Sequence, residues 1–380
     1  MNFDFSEEQE ALRDQARRFL ADGPEWAREA LGEQADFHAD AWRYLTELGW
    51  VAAAVPEEHG GLGLGPLELC VLAEEMGRSL APLPFSSSVL QATEALKLGG
   101  GKVAEQWLPQ LAAGEIIGTL AFSEGTPGTW MSRPRAKVVD GRLSGQKTPI
   151  ADGLVAGLAI VSAVSDEDGD GFGWWLVQLN SPEVKRDEVA TVDCVRKHAA
   201  ITFDGAPVER LGKPGEGEVL AEKLLDMVAV FTAFEQLGGA EAAMAMALDY
   251  VNTREAFGRV VGGYQAVKHK LADMYVKIEL ARSHAYFGAW ALDNGAQELA
   301  KAAAGARLAA LDAYGFSAEE SIELHGGIGF TWESNCQLFY RRARLLASHL
   351  GGRVHWSQRL VKSLVGEKSD STVSTASDVR

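Results

Sequence analysis

Arg254 stands three residues before Phe257 and Gly258, Gln265 follows, and a pair of glycines comes later in His325-Gly326-Gly327-Ile328-Gly329-Phe330. A guanidinium can hold phosphate oxygens two at a time. Adjacent glycines let backbone approach a ligand closely. The set therefore suits an anionic, partly aromatic ligand. Other chemistries are poorly served. No Gly-x-Ser-x-Gly elbow, His-Glu-x-x-His pair or phosphate loop occurs. The 8 histidines are scattered, with no two at helical spacing plus a third ligand, so no metal site is expected. The run Asp166-Glu167-Asp168-Gly169-Asp170-Gly171 imitates the start of a calcium loop, but the twelfth position is Val177, where a bidentate Glu is needed. It reads as an acidic surface turn. Gly60-Gly61-Leu62-Gly63-Leu64-Gly65 has no strand before it, so it reads as a flexible connection between helices rather than a dinucleotide fingerprint.

The elements that must position these residues fall into three segments. With 380 residues the chain is too long for one compact domain, and an apolar share of 47% can fill a large core. Residues 1–115 read as an N-terminal helical domain. Ser6 and Gln9 form a capping box ahead of a one-faced apolar stripe, and Pro66 starts a later helix. Residues 116–215 read as a β domain, with strands near Gly118–Phe122, Ala136–Val139, Leu158–Val164, Trp174–Leu179 and Ala200–Phe203, and a hairpin turn at Asp140-Gly141. Residues 216–365 are helical again: Val267, Leu271, Met274, Ile278 and Ala281 repeat at the spacing of near-parallel helix packing. The tail, 366–380, is rich in Ser, Thr and Asp and reads as disordered.

Charge narrows the partners. Fifty-three acidic residues against 36 basic ones give a net charge of -17, which disfavours nucleic acid. No apolar run reaches the roughly 18 residues that span a bilayer. Met1-Asn2-Phe3-Asp4 has neither a basic region nor an apolar signal core, so a cytoplasmic protein without a membrane anchor is expected. Cys70, Cys194 and Cys336 make no metal or disulfide pattern and read as buried or neutral thiols.

Helices, a β domain, then a helical bundle, together with Arg254-x-x-Phe257-Gly258, Gln265 and Gly326-Gly327, resemble the acyl-CoA dehydrogenase family over nearly the whole chain. The resemblance implies a fold that is mainly α with a central β domain: an N-terminal helical domain, a β-barrel-like middle domain and a C-terminal four-helix bundle. It implies FAD as cofactor, an acyl-CoA substrate and an electron-transfer flavoprotein as acceptor. Arg254, Phe257, Gln265, Gly326 and Gly327 would grip the distal half of the flavin, with the arginine reaching it from a neighbouring subunit. Phe122, Ser123 and Thr129 lie in Leu120-Ala121-Phe122-Ser123-Glu124-Gly125-Thr126-Pro127-Gly128-Thr129, which resembles the loop cradling the isoalloxazine.

Six positions depart from the family pattern. The catalytic glutamate's usual place falls on Leu350, and its alternative place, counted back from Arg254, falls on Val228, with Ala229 where an arginine is common. Leucine and valine cannot take a proton. Pro149 and Ala151 stand where a Trp and a Thr normally meet the flavin. Glu323 replaces a Gln near the glycine pair and would repel a diphosphate. Glu235 and His349 are the candidate replacement bases; Glu235 is seven residues from Val228 and so about 10 Å along the helix. Three readings remain open. The chain could be the base-lacking subunit of a heteromeric α2β2 dehydrogenase, a class associated with bulky acyl-CoAs including steroid side chains. It could be a self-sufficient homotetramer with a relocated base. It could also be an inactive acyl-thioester-binding scaffold, with an oxidase or oxygenase variant as an outside alternative.

Overall fold

The computed structural model describes residues 6–33, 35–125 and 132–374. Helices α1 (Glu7–Phe19), α2 (Gly23–Glu33), α3 (Ala39–Glu47), α4 (Pro66–Ser79), α5 (Thr93–Gly99) and α6 (Gly101–Ala112) come first. The capping box forms: Gln9 N donates to Ser6 Oγ at 3.2 Å, and Ser6 N to Gln9 Oε1 at 2.9 Å. Pro66 occupies the first turn of α4, where its missing N–H costs nothing. A π-helical turn, Ser86–Ala92, leads into α5. The glycine-rich connection is pinned rather than flexible. Leu62, Gly63 and Leu64 donate backbone hydrogen bonds to Ala52, Val55 and Ala53 at 3.0, 2.8 and 2.9 Å. The short side chains let this loop fold back on the preceding turn, a role that composition alone does not reveal.

The middle segment holds β1 (Gly118–Ala121), β2 (Lys137–Val139), β3 (Arg142–Ala151), β4 (Leu158–Ala163), β5 (Gly173–Gln178), β6 (Val184–Val189) and β7 (His198–Leu211). The order is β1-β4-β5-β7-β3-β2, with β6 also on β7. Strand β7 bridges two halves: its end pairs with β5 and its start with β3 and β6. Val138 N donates to Val164 O at 2.9 Å, and Val164 N to Ala136 O at 3.0 Å, which draws β2 back toward the end of β4 and curls the sheet. Asp140 and Gly141 both have positive φ, 50° and 71°, the geometry of a two-residue hairpin turn. Asp168, in the acidic turn, is occupied by Arg210 at 2.8 Å, and no metal-ligating cluster occurs among the described residues.

The C-terminal segment holds α7 (Gly217–Thr253), a hairpin of β8 (Glu255–Ala256) and β9 (Arg259–Val260), then α8 (Gln265–Asp293), α9 (Leu299–His325), α10 (Cys336–Ser348) and α11 (Arg353–Ser374). Helices α7, α8, α9 and α11 pack together, with the shorter α10 laid against α7 and α9. Helix α11 runs past Gly366, where the sequence suggests a tail begins. Two glycines bring α4 onto α7. A Cβ at Gly77 would lie 1.9 Å from Glu235 O, and one at Gly238 would lie 1.9 Å from Glu74 O. No larger residue fits either place, so the two backbones touch and Glu235 is fixed beneath the N-terminal domain. No helix is long and apolar enough to cross a membrane among the described residues.

Candidate functional site

The residues singled out above form two separate places. The first is internal. The end of β3, the π-helical turn, the segment before β7, α7 and the end of α10 converge on a cavity lined by Ser87, Gln91, Ala151, Asp152, Arg196, His198 and His349 among others. Its volume is about 10 Å³, room for about one water. Leu350, the expected base position, follows His349; it is 2% exposed and sits at φ 61°. Val228 and Ala229 are buried inside α7.

Paired charges pack behind this cavity, and of them Arg196 lines it. Arg196 donates to Glu235 at 2.5 Å, and Arg342 lies 3.6 Å from the same carboxylate while also donating to Asp193. Arg307, fully buried, donates to Gln236 and to the carbonyls of Leu346 and His349, the latter at 2.8 Å. These bonds hold the α10 terminus in place. Ser87 Oγ donates to Asp152 at 2.5 Å. Burial raises the Asp152 carboxyl above its ordinary range, and the nearby Arg196 and the Ser87 hydrogen bond only partly oppose it. Burial works against a charged Asp193 too, but Arg342 outweighs it and holds that carboxyl low. Burial pulls His198 down to about 4. Burial, with Arg307 and Arg196 near, pushes His349 well below its usual value. Both imidazoles are therefore neutral at pH 7. Glu235 is a committed ion-pair partner, and His349 Nε2 lies 3.4 Å from the Gln91 side-chain amide.

The cradle loop lies beside this cavity. The Phe122 ring is 2% exposed and packs on Trp174 with centroids 5.3 Å apart. Ser123 Oγ donates to Thr148 O at 2.8 Å. Thr129 lies outside the described residues. Glu124 accepts from the buried Lys147 at 2.8 Å and from the backbone N–H of Arg135 and Ala136. Burial opposes its charge, yet these bonds hold its carboxyl at about 2. Burial lowers Lys147 to about 8 against the pull of Glu124.

The second place is on the surface. Tyr250, Arg254, His325, Gly326, Gly327 and Ile328 line an open cleft of about 490 Å³. Arg254 ends α7 as an exposed residue. Phe257 sits at the tip of the β8–β9 hairpin, 98% exposed, at φ 52°. Gln265 opens α8 and is exposed. Gly326 ends α9 at φ 63°, and a Cβ at Gly326 or Gly327 would meet nothing within 4 Å. The glycines thus leave a bare backbone face that nothing covers among the described residues. Lys270 holds Glu323 at 2.7 Å and also binds Glu320, so one ammonium is shared by two carboxylates and the repulsion toward a diphosphate is reduced but not removed. Ile328, Phe330 and Trp332 add apolar surface, 50, 79 and 61% exposed. This place fits the diphosphate half of a dinucleotide: one exposed guanidinium, open backbone and room. The inner cavity does not fit a three-ring system as it stands.

Of the residues that spacing singles out, the surface cleft brings together Arg254, Gly326 and Gly327, and it is not lined by Gln265 or Phe257. Sequence reading missed Asp152, Asp193, Arg196, His198, Arg307 and Arg342. Among the three arginines of Arg341-Arg342-Ala343-Arg344, only the solvent exposure in the fold singles out Arg342, at 1%.

Comparison with known proteins bears on both places. Residues 6–115 match the model of the acyl-CoA dehydrogenase N-terminal domain, and residues 215–353 that of the acyl-CoA dehydrogenase C-terminal domain. The chain is 30% identical to acyl-CoA dehydrogenase IpdE2 of Mycolicibacterium smegmatis over 351 residues, 91% of this chain and 95% of that protein. The solved Tcur3481-Tcur3483 steroid ACAD variant is similar at TM-score 0.86 and 30% identity, covering 96% of this chain and 99% of that one. The ChsE4-ChsE5 complex from Mycobacterium tuberculosis is similar at TM-score 0.86 and 27% identity, over 96% and 99%.

Proposed function

The chain belongs to the acyl-CoA dehydrogenase family, FAD flavoproteins that oxidise the CH–CH bond of acyl-CoA thioesters, and from that premise we propose that it is the base-lacking subunit of an α2β2 dehydrogenase. One juxtaposition supports this reading: the diphosphate grip faces outward, while the place of the chain's own chemistry is a cavity with room for about one water, walled by Arg196 and backed by the Arg196–Glu235 and Arg342–Asp193 pairs. Arg254, Gln265 and the Gly326-Gly327 backbone would hold the diphosphate half of a flavin seated in the related subunit. Phe257 would pack against that subunit or its cofactor. Bound FAD supplies the hydride acceptor. The partner supplies the base that takes the α-proton, because Leu350 and Val228 cannot and Glu235 is spent on Arg196. The names Tcur3481-Tcur3483 steroid ACAD and ChsE4-ChsE5 support a two-chain assembly, and the first supports a steroid-bearing acyl thioester as substrate.

Co-expression with a related chain carrying the glutamate tests this. A stable mixed tetramer with one flavin for every two chains, active with an artificial acceptor, is the expected result. Arg254→Ala should loosen flavin by on the order of tenfold while leaving the tetramer intact. Flavin bound stoichiometrically by this chain alone would sink the reading. A second reading rests on one observation. Asp152 is a buried carboxyl with a raised pKa beside the cavity, the environment of a relocated base. Turnover by the isolated chain that disappears in Asp152→Asn would favour that alternative.

A further inference from the structure

We propose that the cleft between α4, α5, α7 and the α8–α9 turn is a second small-molecule site, shaped for an amphiphilic monoanion with an apolar body and a single carboxylate head. The cleft measures about 480 Å³ and is walled mainly by apolar side chains, including Leu64, Leu98, Met227, Phe231, Leu292 and Leu299. That size lies in the range of small-ligand pockets, which combine apolar walls with a few polar groups that orient the ligand. The charged groups on this wall are Glu94, Lys97 and Lys223, so two cations and one anion leave a lining charge of +1. The whole chain carries -17, so a net positive lining is a local reversal of sign.

The three groups are arranged to leave donors free. Lys97 Nζ donates to Glu94 at 2.7 Å, and Glu94 is 2% exposed. Burial raises the Glu94 carboxyl against the pull of Lys97, so the pair is fixed in the wall. An ammonium has three donors, and this bond uses one. Lys223 stands exposed at the rim with no carboxylate paired to it among the described residues. A carboxylate head between Lys97 and Lys223 would gain charge-assisted hydrogen bonds while its tail is buried against α5 and α7.

The cleft is distinct from the inner cavity and shares no lining residue with it. Gln91 lines the cavity and Lys97 the cleft, about 9 Å apart by the helical rise; Phe231 and Glu235 are one turn apart, about 6 Å. The cleft is lined entirely by residues of one chain.

Calorimetric titration of the full chain with dodecanoate tests the site. The expected result is saturable binding of one dodecanoate per chain, about tenfold weaker in Lys223→Met, a surface change that leaves the fold untouched. Leu98→Trp should abolish binding by filling the cleft. Dodecylammonium should fail to bind, and dodecanoyl-CoA, whose head is bulky and several-fold charged, should not displace dodecanoate. Unsaturable uptake, equal binding of dodecan-1-ol, or an unchanged affinity in Lys223→Met would overturn the proposal. Displacement by dodecanoyl-CoA would overturn the assignment of a free carboxylate head.

Discussion

At the residue scale, the fate of Leu350 turns on its neighbours. Placing a carboxylate there recreates the family's base in type but not in setting, because Arg307 holds the adjacent carbonyl and the cavity has room for about one water. Leu350→Glu should therefore give no turnover above the parent, measured with acyl-CoA and an artificial acceptor. It should also lower stability, since a carboxylate would be buried without a partner built for it. His198 makes a pH prediction. Its pKa is depressed to about 4 in the fold and is near ~6.5 unfolded, so the unfolded state binds more protons between those values. The stability it contributes is full above pH ~6.5 and is lost as pH falls toward 4, at about 1.4 kcal/mol per pH unit. Raised carboxyls such as Asp152 act in the opposite sense, so the readout is the difference between parent and His198→Gln in urea midpoints from pH 7 to 4. The variant should have the flatter acid limb. Arg254 was legible because its partners sit at fixed offsets. Arg196, Asp193 and Arg342 were not, because their contacts join positions up to 149 residues apart, and each looks like an ordinary solvated charge.

At the element scale, the contact between α4 and α7 is the most exacting. Gly238→Ala puts a methyl into the backbone of Glu74, and the helices must part; the loss should be about 1–3 kcal/mol, read from the urea midpoint. Gly326→Ala is a contrasting case. Open space surrounds it, so its cost is backbone strain alone, about 1–3 kcal/mol for φ 63° with ψ -138°, with a further effect on flavin retention in the mixed tetramer. Helix positions and the Asp140-Gly141 turn were readable from periodicity and turn chemistry. Strand β6, Val-Lys-Arg-Asp-Glu-Val, was not, because a polar edge strand carries no apolar alternation over its length. The extent of β7 was hidden for a related reason: it serves two halves of the sheet and changes its buried face along the way.

At the scale of the whole molecule, the most exposed aromatic rings among the described residues lie on the hairpin and the loop after α9, with Phe257 98%, Phe330 79% and Trp332 61% exposed. Phe257→Ser should leave the urea midpoint of the isolated chain within about 0.5 kcal/mol, since the ring touches little. In the mixed assembly it should weaken association by about tenfold or more, measured by sedimentation, because an aromatic at an interface centre dominates its energetics. Domain order was visible in composition, whereas the division of labour between a charged interior and an outward grip emerges only when distant segments meet. The charged interior also limits what substitution can do. Two arginines, Arg196 and Arg342, and their partners Glu235 and Asp193 are mutually dependent, and deleting one strands another in a dry environment at about 3–5 kcal/mol. An interior hardened in this way yields only to matched pairs of substitutions, so any change in what this cavity can do must first cross a poorly folding intermediate.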